Sequence, residues 1–281
     1  MVTYNRKQLL EECLASLQQQ SRNVDHVLVV DNASTDGTAD LVTQTFPDVE
    51  LLTMPQNEGG AGGFHEGMKR ATEQGWDWLW LMDDDTIPRP DSLERLLAAL
   101  DRLNDLPEPV MLGSKAVWND GNWHPMNFIG PRLGYFPEFL DASVQGLLSF
   151  RMATFVSLLV KSDAVRRYGL PHKHYFIWSD DVEWTARVLR EERGYLVPDS
   201  VVHHKTKTAH TAPETGDKFY FAVRNGLFLL RSDSLNWKEK IGHTMVVAEQ
   251  IRRFMLHERF GLRAWRIVGR GLWHGLTRPA E

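Results

Sequence analysis

The chain of 281 residues holds one cysteine, Cys13. An internal disulfide is therefore excluded, which fits a cytosolic setting. No run of 18 apolar residues occurs, so no membrane-spanning helix is expected, and the first residues do not form a secretory signal. Basic charge is not in excess: the net charge is −5, which argues against nucleic acid as a partner. There is no internal repeat and no low-complexity stretch. The GKS/T of a phosphate-binding P-loop and the GxGxxG of a dinucleotide fold are also missing. What remains is ordinary globular composition, 42% hydrophobic and 25% charged, enough for one large domain or a domain with an appendage. The charge is uneven. Residues 237–281 carry nine Lys and Arg against four Glu, about +5, and the rest of the chain carries about −10.

The chain is organised around WDWLWLMDDDT, Trp76 to Thr86. Its apolar half reads as a strand buried on both faces. Three carboxylates end it, Asp83, Asp84 and Asp85, and these must meet solvent, a basic partner or a cation. In an extended segment Asp83 and Asp85 point to one side and can reach a single divalent ion. Pro88 and Pro90 follow, so the acids sit at the strand's C-terminal end, where open α/β sheets bind ligands. Taken alone, the triplet also reads as a solvated acidic turn.

Apolar periodicity predicts a strand end at residues 1–4, a helix at 8–19 and a strand at 26–30. A helix at 38–45 and a strand at 49–54 follow. Asn57 to Gly63 reads as a glycine-rich loop leading into a helix at 64–74, and a helix at 92–103 follows the central strand. This alternation predicts a doubly wound, mostly parallel α/β sheet with its polar turns gathered along one edge. Beyond it, strands are expected at 110–117 and 153–160, and helices at 162–168 and 182–192, the last ended by Gly194. Short strands around Pro198 and a helix at 218–231 come next. One or two helices are expected over 237–273. Residues 118–139 read as a long surface loop.

Several residues point to chemistry. Asp83 and Asp85 are hard oxygen ligands suited to Mg²⁺ or Mn²⁺, ions that bind through one or two carboxylates and substrate phosphates. Asp180-Asp181 supplies a second acidic pair, either a general base or a helix cap. His203-His204 ends a strand, where an imidazole can complete a carboxylate metal site or simply meet solvent. His210 reads as loop. The glycines at 59, 60, 62 and 63 suggest close backbone approach to a polar ligand, or a mobile connector. Arg224, in an apolar helix beside Asn225, requires a partner: a phosphate, the acidic cluster or a structural ion pair.

Together these pieces resemble the family 2 inverting glycosyltransferases of the GT-A fold. The resemblance covers roughly residues 2–231. It runs in order through VTYNR (2–6), VVDNASTDGT (29–38), NEGGAGGF (57–64), LMDDDT (81–86), WSDDVEWTAR (178–187) and RN (224–225). It implies a nucleotide-sugar donor, a divalent ion, either Mn²⁺ or Mg²⁺, and inversion at the anomeric carbon. Thr3, Asn5 and Asp31 are implied to contact the base and ribose, with Asn57, Gly59 and Gly60 lining the donor pocket beside Asp83, Asp84 and Arg224. Asp83, Asp85 and His204 are implied as metal ligands and Asp180 or Asp181 as the base. The NxGGAGGF and WxDD segments look most like bacterial galactofuranosyltransferases, with rhamnosyltransferases close behind. UDP-galactofuranose is thus the favoured donor and dTDP-rhamnose the alternative, for cell-envelope polysaccharide.

Trp118, Trp123, His124, Phe128 and Trp178 are expected to form an acceptor platform, since aromatic faces stack on sugars and lipid-linked carriers alike. The division expected is a transferase domain at 1–231 and a basic, aromatic helical extension at 232–281. Residues 237–281 suit an anionic bilayer surface, and so a polyprenyl-linked acceptor at the inner face of the plasma membrane. Packing onto the catalytic domain or into a homo-oligomer is the other reading. The family's first strand carries several apolar residues at this point, and here only Met1 and Val2 remain. An upstream-extended chain is therefore expected to melt higher. Two rivals of other classes are a nucleotidyltransferase, which lacks its basic glycine signature here, and a non-catalytic carbohydrate-binding protein. Donor hydrolysis with Mn²⁺ would separate the latter.

Overall fold

Three parallel strands with helical crossovers open the chain, and the first two end at residues of the future site. The computed structural model describes residues 1–127, 129–132, 136–208 and 213–279, side chains of 213–215 excepted. It begins with β1 (Val2–Thr3), α1 (Lys7–Gln18), β2 (Leu28–Asp31), α2 (Thr38–Thr45), β3 (Glu50–Thr53), α3 (Gly59–Glu73) and β4 (Trp78–Leu81). β1 and β3 flank β2, both parallel to it, and a parallel bridge joins Val2 to Asp83 just beyond β4. The spatial order is therefore β3-β2-β1-β4. Thr3, Asp31 and the Asp triplet leave neighbouring strands at one edge, which is the ligand edge of such sheets.

The chain continues through β5 (Thr86–Pro88), α4 (Ser92–Ala98), β6 (Met111–Val117), β7 (Gly130–Pro131), α5 (Phe136–Val144), β8 (Leu148–Met152) and β9 (Leu158–Lys161). It then runs through α6 (Ser162–Tyr168), α7 (Asp180–Val188) and β10 (Gly194–His204). The sheet extends from β4 in the order β9-β6-β10-β8-β7. β6 and β10 are parallel, and the other pairs of this half are antiparallel. β5 lies antiparallel on the end of β10 with His204 opposite Thr86. That register carries an imidazole from position 204 to the residue after Asp85. The α/β class and the parallel pairing of β1, β2, β3 and the end of β4 are as expected.

The core follows the apolar spacing. Leu10, Cys13, Leu14 and Leu17 recur at helical intervals on α1, and all are buried. Leu10 and Leu14 meet Val29 of β2 and Val42 of α2. Burying each such side chain contributes about 1.5–3 kcal/mol. On one face of the sheet, Phe64 and Met68 of α3 and Trp184 of α7 share a cluster with Val30, Leu79 and Leu81. On the other, Leu93 and Leu96 of α4 pack with Leu112, Leu159 and Tyr195. An apolar cleft of about 430 Å³ lies between β2 and β4, lined by Leu28, Phe64, Leu79 and Leu81. None of the Asp residues of the triplet or of the 180–181 pair lines it.

α8 (Phe219–Arg231), α9 (Trp237–His257) and α10 (Leu262–Thr277) form the C-terminal helical part. Phe219 and Val223 of α8 pack with Phe254, Ala264, Ile267 and Val268. Gly271 and Gly275 allow close contact, since a Cβ at either would fall within 2.8 Å of Val223 or Leu227. Arg151 ties this part to the sheet, donating to the Ser234 carbonyl at 2.5 Å and pairing with Glu239 at 3.0 Å.

Six expectations about local structure change, the first being the loop at 118–139, which holds β7 and the start of α5. The glycine stretch is the start of α3, not a loop, because packing overrides the low helix propensity of glycine. β8 lies outside every expected strand, and of the strand expected at 153–160 only 158–160 is strand, in β9, after a break that ends at Ser157, which has φ 58°. Its hydroxyl joins Ser114 at 2.7 Å and Trp80 at 2.9 Å, contacts a straight strand would not place there. α7 begins at Asp180, two residues early, and ends at Val188. Gly194 is therefore not its cap but the first residue of β10, where a Cβ would meet Phe150 at 2.8 Å. β10 itself is continuous past Pro198, with a register shift between Val197 and Val201 that absorbs the missing N–H.

Candidate active site

Asp83 and Asp85 converge, but not by strand alternation. Residues 83–86 form a turn closed by the Thr86 N–H donating to the Asp83 carbonyl at 3.2 Å. One donor atom each from Asp83, Asp85 and His204 lies within 4.8 Å of the others. His204 is buried and its Nδ1 meets Asn127 Oδ1 at 2.7 Å. With Nδ1–H donating to Asn127, Nε2 turns a lone pair toward Asp85 Oδ1, 3.1 Å away. That carboxylate oxygen is buried and accepts no hydrogen bond. Two acceptors that close are stable only with a proton or a metal ion shared between them. The two carboxylates and the imidazole are a donor set suited to Mn²⁺ or Mg²⁺, so the residues fit a divalent ion.

Asp84 faces the other way. It accepts from Thr3 Oγ1 at 2.8 Å and pairs with Arg6 at 3.2 Å. Arg6 also reaches Asp85 at 2.5 Å. Burial, then the charges of Asp85 and Asp84, pushes the Asp83 carboxyl well above the usual range. Burial raises Asp84 to about 6 against the pull of Arg6. Burial would raise Asp85 too, but when a proton rather than a metal ion lies between it and His204, the hydrogen bond and charge of that imidazolium, with Arg6, hold it below the usual range. The charge of Asp181 adds to the rise at Asp83, so the two acidic groups feel one another.

Asp180 and Asp181 open α7, and neither caps it in the usual sense. The N-cap is Ser179, with no side-chain cap bond, and Asp181 Oδ1 accepts from the adjacent Val182 N–H at 2.7 Å. Burial, then the neighbouring Asp181 charge, pushes Asp180 well above the usual carboxylate range. Burial raises Asp181 to about 6, held back by the N–H groups of Val182 and Phe155. The approach to this pair is strained: Phe176, Trp178 and Ser179 have φ of 65°, 64° and 68°. Each such residue costs about 1–3 kcal/mol, a strain that persists only where surroundings enforce it.

The remaining residues divide. Asp31 Oδ1 accepts from the Ser34 N–H at 3.1 Å, while its Oδ2 is buried without a hydrogen bond, open to a ligand donor. Asn5 is used locally, accepting from the Thr35 N–H at 2.7 Å. Asn57 likewise accepts from the Gly59 N–H at 2.8 Å. The glycines expected to approach a ligand mostly approach the chain itself. A Cβ at Gly59, where φ is 72°, would stand 1.9 Å from the Phe176 carbonyl oxygen, and one at Gly63 would strike Val2. At Gly60 it would meet nothing within 4 Å. Arg224 is buried and, among the described residues, forms no salt bridge with a carboxylate; its guanidinium donates to the carbonyls of His174 and Tyr175.

His124 is not a platform residue. It is fully buried, its ring 4.7 Å from that of His204 and its Nε2 2.8 Å from Thr206 Oγ1. Trp118 and Trp123 lie on the same side, Trp118 donating to the Thr206 carbonyl at 3.1 Å and Trp123 under Lys115. Trp178 lies in the strained approach to Asp180. Phe128 and His210 lie outside the described residues. Reasoning from the sequence missed Arg6 and Asn127. Arg6 was signalled by its place at the C-terminal end of β1. Asn127 had no signal, because only the fold brings it to His204.

Residues 1–164 match Glycosyl transferase family 2. The chain is 30% identical over 254 residues to galactofuranosyltransferase GlfT1 of Mycolicibacterium smegmatis, covering 84% of this chain and 83% of that one. It is 28% identical over 246 residues to an N-acetylglucosaminyl-diphospho-decaprenol L-rhamnosyltransferase of Mycobacterium tuberculosis, covering 75% and 77%. Among solved structures, S. aureus TarS 1–349 in complex with UDP-GlcNAc superposes with a TM-score of 0.61. That match has 15% identity and covers 98% of this chain and 79% of that one.

Proposed function

The chain belongs to glycosyl transferase family 2 and is a glycosyltransferase, and we propose that it moves galactofuranose from UDP-galactofuranose, with inversion, onto a glycan or polyprenyl-linked glycan of the cell envelope. Residues 1–231 carry the reaction in this reading. The observation that carries it is the meeting of Asp83, Asp85 and His204 beside the raised carboxyl of Asp181.

Asp31, with its open Oδ2, receives a donor group from the base or ribose, and Thr3 and Asn5 border that pocket. Gly60 leaves room at the start of α3 for the diphosphate. Asp83, Asp85 and His204 would hold Mn²⁺ or Mg²⁺, whose chemistry is to offset the charge of the departing nucleoside diphosphate. Asp180 or Asp181 takes the proton of the acceptor hydroxyl as its oxygen attacks the anomeric carbon from the face opposite the leaving group. A carboxyl raised to about 6 is ionised at neutral pH yet more basic than an ordinary Asp, as a general base requires. One displacement forms the new glycosidic bond and breaks the bond to the diphosphate, with no covalent enzyme intermediate.

The GlfT1 relative favours galactofuranose; the rhamnosyltransferase relative keeps dTDP-rhamnose as the alternative. Metal-dependent binding of a nucleotide-sugar panel tests the donor. Tighter binding of UDP-galactofuranose supports the proposal, and a preference for dTDP-rhamnose overturns the sugar while leaving the transferase.

Among the described residues no helix is long and apolar enough to cross a membrane. α10 buries Ala264, Ile267, Val268 and Gly271 yet exposes Leu262, Trp265, Trp273 and Leu276, with Arg263, Arg266 and Arg270 interleaved. This face suits an anionic bilayer at the cytoplasmic side, where a polyprenyl-linked acceptor is embedded. The paired change Trp265→Ser and Trp273→Ser should abolish co-sedimentation with anionic vesicles. A stable dimer in light scattering, with no vesicle binding, would overturn it.

A further inference from the structure

Arg224 and Asn225 end in a set of contacts that no donor-binding role explains. Arg224 Nε donates to Asn225 Oδ1 at 2.9 Å, and its Nη2 donates to the carbonyls of His174 and Tyr175, each at 2.7 Å. Asn225 Nδ2 lies 3.0, 2.7 and 2.8 Å from the carbonyl oxygens of Tyr175, Ile177 and Trp178. The carbonyl between them, of Phe176, accepts from the Ala61 N–H of α3 at 3.1 Å. Five consecutive carbonyls, 174 to 178, are thus held from outside their own segment. Three of the four residues from Phe176 to Ser179 are left-handed, a conformation that non-glycine residues leave unless restrained. The guanidinium is fixed in turn, packed 4.9 Å from the ring of Phe221 and 5.1 Å from that of Phe228.

We propose that Arg224 and Asn225 are positioning residues that hold the 174–179 segment in its strained path and thereby aim Asp180 and Asp181 at the acceptor hydroxyl. This rests on the reading of that pair as the base. The fork of Arg224 fits two carbonyls and Asn225 at once, whereas a lysine ammonium, a point charge on a flexible stem, cannot reproduce that planar arrangement. Gly59 belongs to the same device, because only a residue without Cβ lets α3 approach the Phe176 carbonyl.

Steady-state kinetics and amide hydrogen exchange of the full chain carrying Arg224→Lys or Asn225→Asp test this. Arg224→Lys should lower kcat about 10- to 100-fold while donor KM and UDP affinity stay within about twofold. Exchange at residues 174–181 should quicken. A donor KM raised tenfold or more with kcat kept would make Arg224 a donor contact and overturn the proposal. Unchanged exchange at 174–181 would overturn it as well. If Asn225→Asp does not fold, Arg224→Lys alone reads all three quantities. Full turnover in both Asp180→Asn and Asp181→Asn would instead sink the base assignment, while the exchange result still judges the clamp.

Discussion

The two buried acidic groups are held in opposite ways. Asp84 and Asp85 are surrounded by compensation: Arg6 pairs with both, Thr3 donates to one and His204 faces the other. Asp180 and Asp181 have each other and, among the described residues, no cationic side chain in a salt bridge with either. Of the compensated group only Asp85 is held low; burial still raises Asp84 to about 6 and Asp83 well above the usual range, while Asp181 is raised to about 6 with no cation to oppose it. A carboxylate kept ionised suits cation binding, and one kept basic suits proton transfer. On the proposed reading, Asp85 and the 180–181 pair take two tasks by what is packed around each.

Breaking the compensated group should have the largest effect. Asp85→Asn, or chelation with EDTA, removes several kcal/mol of leaving-group stabilisation, about 10³-fold or more in kcat/KM. Assays with Mn²⁺ restored after EDTA check it: recovery in the wild type but not in Asp85→Asn is expected.

Breaking the uncompensated group should separate activity from stability. One of Asp180→Asn and Asp181→Asn should lose about 10²- to 10⁴-fold in kcat. The folded-state value of Asp181, about 6, lies above that of the unfolded chain, and Asp180 is raised as well, so the native state binds more protons over a window that for Asp181 runs from about pH 4 to 6. Stability thus falls as pH rises through that window and stays reduced at neutral pH. The Asn variants should therefore be more stable at pH 7.5 in denaturant melts, Asp181→Asn by about 1–3 kcal/mol, with no gain at pH 3. In the wild type, kcat/KM should rise with pH through an apparent value near 6, a limb the inactive variant cannot show.

A smaller contrast sharpens the link between the two groups. Gly59→Ala drives a Cβ into the Phe176 carbonyl at φ 72° and should cost about 3 kcal/mol in stability and lower turnover. Gly60→Ala, one residue on and facing open space, should change stability by about 0.5 kcal/mol or less. Thermal melts of the two variants side by side would show it.

The same contrast explains what could be read from the chain alone. α2 and α6 have the bounds the periodicity predicts, because each apolar face is local information. The acidic residues and His204 were legible because charged groups at strand ends need partners wherever the fold places them. The glycine helix was not, since its reason is the Phe176 carbonyl more than a hundred residues away. The contacts of Arg224 were not legible either. A sequence announces side-chain charges, but it gives no sign of backbone carbonyls turned outward by a strained segment. His124 was misplaced for a related reason: an aromatic-rich loop signals surface stacking, while the fold buries this ring under His204.

Mn²⁺ titration monitored by electron paramagnetic resonance, with UDP present, tests the division of labour most directly. Wild type, Asp180→Asn and Asp181→Asn should bind one ion with similar affinity, and Asp85→Asn should bind none. Binding retained in Asp85→Asn, or lost in both Asp180→Asn and Asp181→Asn, would contradict the separation of cation site from base.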